Sequence, residues 1–104
     1  MSERSSSALV SVVIPVHDAA EYISDTLSSI LSQSLQDIEV IIIDDNSADD
    51  TLKLLQSFAA NDSRIRLLNN SQNIGAGASR NMGLKIASGE YIIFLDDDDY
   101  ADAN

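Results

Sequence analysis

Two acidic clusters stand out by residue type and spacing. Near its end the chain reads "FLDDDDY", residues 94–100, four aspartates after an apolar run. Earlier it reads "IIIDDNS", residues 41–47, where Asp44 and Asp45 again close an apolar run. Adjacent like charges repel, so four carboxylates in a row call for a positive partner. In extended backbone alternate side chains share a face, which groups Asp96 with Asp98 and Asp97 with Asp99. A D-x-D pair at the end of a stiff strand can hold a hard divalent cation and a ligand hydroxyl. Mg²⁺ or Mn²⁺ suits carboxylate oxygens and keeps coordination places for phosphate oxygens. Such a cation would let an acidic crevice accept an anionic diphosphate. Aspartate also ends strands and caps helices for plain structural reasons. That accounts for Asp44 or Ser47 well and for four consecutive aspartates poorly. A solvated acidic terminus, "DDDDYADAN", is the competing bland account.

The elements that must position these residues alternate along the chain. "LVSVVIPV", residues 9–16, is apolar and β-branched throughout, as expected of a strand buried on both faces. Pro15 should end it. Asp18 and Glu21 have capping-box spacing, and Ile23, Leu27, Ile30 and Leu31 follow at helical intervals, predicting a helix over 19–33. "IEVIIIDD", 38–45, is a second buried strand. After it Ser47 is the expected cap of a helix striped by Leu52, Leu55, Phe58 and Ala59. "RIRLL", 64–68, is a shorter strand whose arginines suit a sheet edge. A polar, glycine-bearing loop precedes a helix over 76–87, stopped by Gly89, and "EYIIFL", 90–95, is a fourth strand. The β-α-β-α-β-α-β order predicts an α/β fold, a doubly wound parallel sheet with three helices. Its simplest strand order is 3-2-1-4. Both acidic clusters then flank strand 1 at the carboxyl ends, at the reversal of strand order where ligands bind in such sheets.

Composition narrows the chemistry. The 104 residues suffice for one small domain. The chain has no cysteine, which removes disulfides and zinc–thiolate sites. Seventeen acids against six bases give a net charge of −11, the wrong sign for nucleic acid, whose phosphates need Lys and Arg. No run reaches membrane-spanning length, and "MSERSSSA" is polar. Residues 1–7 read as a disordered tail and 8–104 as the domain, with a cytoplasmic location expected, at the inner face of the membrane in the intact protein.

The segments "SVVIPVHD", "EVIIIDDNSADDT" and "NIGAGASRNMGLKIASGEYIIFLDDDD" resemble, in order and spacing, the N-terminal half of family 2 glycosyltransferases. These are inverting enzymes of the GT-A fold that use nucleotide-diphosphate sugars. The resemblance runs from about residue 9 to 99, and "GEYIIFLDDDD" is its sharpest part. It implies that Asp96 meets the ribose or the metal shell and that Asp98 ligates the metal bridging the diphosphate. Asp45 would accept a hydrogen bond from the base, and Pro15 and His17 would line the base and ribose pocket. Arg80 would stand near the nucleotide, although a cation in the first turns of a helix opposes the helix dipole. Asp44 is equally readable as structural. Gly75 would allow a turn, and Asn81 would pack or hydrogen-bond within that region. The family often has tyrosine and asparagine where this chain has His17 and Asp18, which bears on base stacking.

The resemblance also places the acceptor pocket and the catalytic base after the D-x-D. Residues up to Asn104 therefore read as a truncated, donor-binding half, expected to bind a UDP-sugar through the metal. The intact protein would pass the sugar to a saccharide or lipid-linked acceptor in cell-surface polysaccharide synthesis. Its fourth strand would be an exposed edge open to self-association. Other α/β readings fit less well. A phosphoacceptor receiver would carry its acid pair after strand 1, a calcium loop would need a turn glycine and a closing Glu, and "GAGASR" does not follow strand 1 as a dinucleotide fingerprint would. A noncatalytic sugar-nucleotide-binding or assembly module is the non-enzyme alternative.

Overall fold

The computed structural model describes residues 9–33 and 37–96. Within them the order is β1 (Val10–Val16), α1 (Ile23–Gln33), β2 (Ile38–Asp44), α2 (Thr51–Asn61), β3 (Ile65–Asn69), α3 (Ala76–Ile86) and β4 (Tyr91–Phe94). The four strands are parallel in the order β3-β2-β1-β4, as expected. Val16 is level with Asp44, and Asp44 with Asn69. The acidic end of β2 thus sits between the ends of its two neighbours.

The period-2 alternation of the strands divides the core. Val12, Ile14 and Val16 of β1 and Ile38, Val40 and Ile42 of β2 pack with Ile23, Leu27 and Ile30 of α1 and Leu55 of α2. The intervening Val13, Ile41 and Ile43 face the other way, against Met82 and Ile86 of α3. Among the described residues that second face is covered by α3 alone, and Gly83 lets it lie close. A Cβ there would stand 2.5 Å from Val13 Cγ1 and 3.0 Å from Ile43 Cδ1, distances no methyl group tolerates without movement.

Several local expectations change. Pro15 lies inside β1, level with Ile43, instead of ending it. Odd residues of β1 turn their amide groups toward β4: Leu9 O accepts from Tyr91 N–H and Val13 O from Leu95 N–H. Pro15 lacks the N–H that would make the next β1–β4 bond after that of Leu95, so β4 pairing goes no further than Phe94, level with Val13, while the β1–β2 ladder runs on past Pro15. The α1 helix begins at Ile23, later than residue 19. Asp18 is left-handed, φ 49°, and its carboxylate accepts from the Ala48 N–H at 2.7 Å, so the capping box with Glu21 is replaced by a cross-loop bond. Ser47 does not cap α2, whose cap position is Asp50. Gly89 is not the helix stop, because α3 ends at Ile86 with Ala87 as its C-cap. Gly89 instead crosses Ser11 so tightly that a Cβ would sit 2.6 Å from the Ser11 nitrogen.

Candidate functional site

The carboxyl ends of β1 and β2 are zipped together by side chains from both following loops. The Asp18 N–H donates to Ser47 Oγ at 2.9 Å, the Ala19 N–H to Thr51 Oγ1 at 2.7 Å, and the Ala20 N–H to Asp49 Oδ2 at 3.2 Å. Asp49 also accepts from the Thr51 hydroxyl and N–H. With the Asp18–Ala48 bond, these contacts give backbone amides of both loops side-chain partners, the Ala19–Thr51 bond being the buried one among them. They fix the two loops to each other at the carboxyl end of the sheet.

Asp44 is fully buried, and its carboxylate accepts from the Ser47 hydroxyl, the Ser47 N–H and Asn69 Nδ2. Three donors of the protein thus hold it in place. Asp45 is 3% exposed and closes the β3–α3 loop. Its Oδ1 accepts from Asn70 Nδ2 at 3.0 Å and the Ile74 N–H at 2.8 Å, and its Oδ2 from the Gly75 N–H at 2.8 Å. Burial pushes the Asp45 carboxyl up, but the bonds from Ile74, Asn70 and Gly75 outweigh it and hold the group below the usual carboxylate range. Gly75 has φ 93°, a backbone conformation that L side chains resist, and it leads directly into α3. Asn70 Nδ2 also donates to Ser79 Oγ at 3.3 Å. Asp45 is thereby tied to the first turn of α3, one residue before Arg80.

His17 Nδ1 lies 2.8 Å from the Asp45 carbonyl oxygen. A carbonyl only accepts, so Nδ1 carries the proton in this contact. His17 Nε2 lies 3.2 Å from Asp18 Oδ2. His17 is exposed at the crevice, whereas Pro15 is buried beneath it. Arg80 Nη2 donates to Asp96 Oδ1 at 2.7 Å, joining α3 to the chain just after β4. The structure thus brings together His17 with Asp45 and Arg80 with Asp96, and links the two pairs through the loop that Asp45 holds. Asn81 is exposed and not packed into this region. Asp98 lies outside the described residues, as do Asp97 and Asp99.

Among the described residues no group of three or more His, Asp or Glu side chains is arranged to hold a metal ion. The donor chemistry nevertheless suits a hard cation: Asp96 presents a solvent-exposed carboxylate that already binds a cationic group. No helix among the described residues is long and apolar enough to cross a membrane.

Sequence reasoning passed over Asn69, Asn70, Ser79 and Thr51. Their partners lie elsewhere in the chain, and only the paired asparagines at the end of β3 hinted at a polar strand end. It also passed over a knot at the opposite end of the sheet. There Glu39 Oε2 accepts from Ser11 Oγ, the Ser88 N–H and the Ser88 hydroxyl, with Arg66 3.6 Å from Oε1. Burial pushes the Glu39 carboxyl up, but the Ser11 and Ser88 bonds prevail and hold it low. This knot and the Gly89–Ser11 contact fix where the chain enters β4.

A family model described as glycosyl transferase family 2 matches residues 11–104. The chain is 38% identical over 98 residues to the glycosyltransferase GlyG of Streptococcus pneumoniae, covering 94% of this chain and 33% of that protein. It is 46% identical over 92 residues to the Escherichia coli UDP-Glc:alpha-D-GlcNAc-diphosphoundecaprenol beta-1,3-glucosyltransferase WfaP, covering 88% and 36%. Residues 1–349 of S. aureus TarS, crystallised in complex with UDP-GlcNAc, superpose with a TM-score of 0.80 at 33% identity, over 88% of this chain and 27% of that one. The chain spans about a third of the length of these relatives.

Proposed function

The chain belongs to glycosyl transferase family 2, and we propose that its crevice binds the nucleotide-diphosphate sugar, a UDP-sugar, of an inverting, metal-dependent transfer. The observation that carries this reading is the placement of His17, Asp45 and the Arg80–Asp96 pair at one sheet end, where the strand order reverses between β1 and β4. The likeness to a protein solved with UDP-GlcNAc supports it. His17 and Asp45 form the base and ribose side, with Pro15 beneath them as support. Oδ2 of Asp45 accepts one protein hydrogen bond and so retains a lone pair for a nucleotide donor. Asp96 and Asp98 would hold Mg²⁺ or Mn²⁺, which would supply charge neutralisation of the leaving diphosphate. Arg80 adds a cation beside the phosphates.

For the intact protein the acceptor is a saccharide or lipid-linked hydroxyl, a reading supported by the diphosphoundecaprenol-linked acceptor in the name of WfaP. Deprotonating that hydroxyl requires a base, and neither Asp44, buried and fully engaged, nor Asp45 offers one. Calorimetric titration of UDP into substituted chains tests the donor site. Asp45→Ala is expected to weaken UDP binding roughly ten- to a hundredfold, the worth of a charge-assisted hydrogen bond, and Asp49→Ala distinctly less. Equal losses from both would remove the nucleotide role of Asp45.

A further inference from the structure

The Arg80–Asp96 pair is partly in water, with the side chains 35% and 60% exposed. Ion pairs so placed add little to stability, so its position matters more than its strength. Other arginines of the described chain are engaged away from this crevice: Arg64 lies on Asp62, and Arg66 stands by Glu39. Arg80 brings a full positive charge, on a rigid helix, to the first carboxylate of the aspartate run. On the donor-binding reading above, that carboxylate also serves a divalent cation. A guanidinium bonded to Oδ1 and a divalent ion at the same carboxylate repel each other at this range.

We infer that Arg80 is a resident counter-cation of Asp96, exchanged when the donor site is loaded. Before loading, its guanidinium neutralises Asp96 and holds the carboxylate toward α3. With a divalent ion bound, Asp96 gives up the Arg80 bond. The freed guanidinium, tethered one residue from the Ser79–Asn70–Asp45 linkage, then serves the phosphate oxygens as a planar two-pronged donor. Arg80 thus acts against the metal and for the nucleotide, a division that a merely structural ion pair would not produce.

The test titrates Mn²⁺ alone, without nucleotide, into the wild-type chain and Arg80→Ala, Arg80→Gln, Arg80→Lys and Lys85→Ala, following free Mn²⁺ by electron paramagnetic resonance. Lys85→Ala removes one positive charge from the far end of the same helix and controls for net charge. Arg80→Ala and Arg80→Gln are expected to bind Mn²⁺ about two- to fivefold more tightly than wild type, the range of exposed ion pairs. Lys85→Ala and Arg80→Lys should stay near wild type, and UDP with saturating Mn²⁺ should bind more weakly to both neutral Arg80 variants. Unchanged or weaker Mn²⁺ binding by Arg80→Ala and Arg80→Gln overturns the exchange while leaving the metal site standing. So does equal tightening by Lys85→Ala. If no variant and no wild-type chain binds Mn²⁺, the metal site itself falls and the exchange with it. Circular dichroism of each variant keeps a folding defect from being read as a binding change.

Discussion

The two strands that flank β1 both end in aspartates, and the two ends are built differently. β2 has strands on both edges and helices on both faces, and Ile41, Ile42 and Ile43 are fully buried. Its Asp44 and Asp45 are turned into hydrogen bonds with the protein itself. Among the described residues β4 has a neighbour on one edge only, and its side chains are exposed, Ile93 by 45% and Phe94 by 46%. Its Asp96 faces water and a guanidinium. A carboxylate with most of its lone pairs taken by protein donors shapes a loop and keeps a single place for a ligand. A carboxylate largely in water and paired with one exposed guanidinium stays available to a ligand. The crevice therefore joins a prebuilt wall at β2 to an electrostatically open wall at β4.

Matched substitutions sharpen this contrast. Ile42→Ala should cost about 2–5 kcal/mol by leaving a cavity in the closed core, whereas Ile93→Ala on β4 should stay within about 0.5 kcal/mol. Urea unfolding monitored by circular dichroism measures both, and similar losses would mean that β4 is covered. At the acidic ends the difference narrows. Asp45→Ala strands the Ile74 and Gly75 amides and Asn70, and should cost about 1–3 kcal/mol. Asp96→Ala should change stability by no more than about 0.5 kcal/mol.

The fold was legible because the strands carry their burial in their composition. Uninterrupted β-branched runs required cover on both faces, and the alternating order required a parallel sheet. "YIIF" has the same look as "IIID" yet is exposed, because apolar composition registers a need for cover without saying what supplies it. The acidic pair at β2 and the reversal at β1 and β4 were also readable. The loop zip of Asp18, Ser47, Asp49 and Thr51 was not. Its bonds join residues about 30 apart, and each side chain was equally suited to a local cap. Asp18 and Ser47 took the distant partner, which satisfies two loops at once where a cap would satisfy one helix end. Pro15 escaped notice as an interior strand residue for a similar reason: only the register shows that its missing N–H lies on the β4 side and leaves the β1–β2 ladder whole.

A smaller effect separates the prebuilt wall by pH. Asp45 and Glu39 both have folded-state carboxyls held below their usual range. A depressed folded pKa contributes stability that is present above the unfolded value, about 4. That contribution is lost as pH falls through the folded value. Thermal unfolding from pH 6 downward should show stability declining below about pH 4. Asp45→Asn and Glu39→Gln should each flatten that decline. An unchanged slope in both variants would mean that their bonds in the native state do not favour the charged form.

The central claim is that the two walls together form a donor site completed by a divalent ion. Titrating UDP into the chain with Mn²⁺ and again with EDTA, for wild type and Asp98→Ala, tests it most directly. The account predicts binding by wild type that requires Mn²⁺, and loss of that requirement together with most of the affinity in Asp98→Ala. Equal UDP binding with Mn²⁺ and with EDTA in the wild-type chain would contradict it.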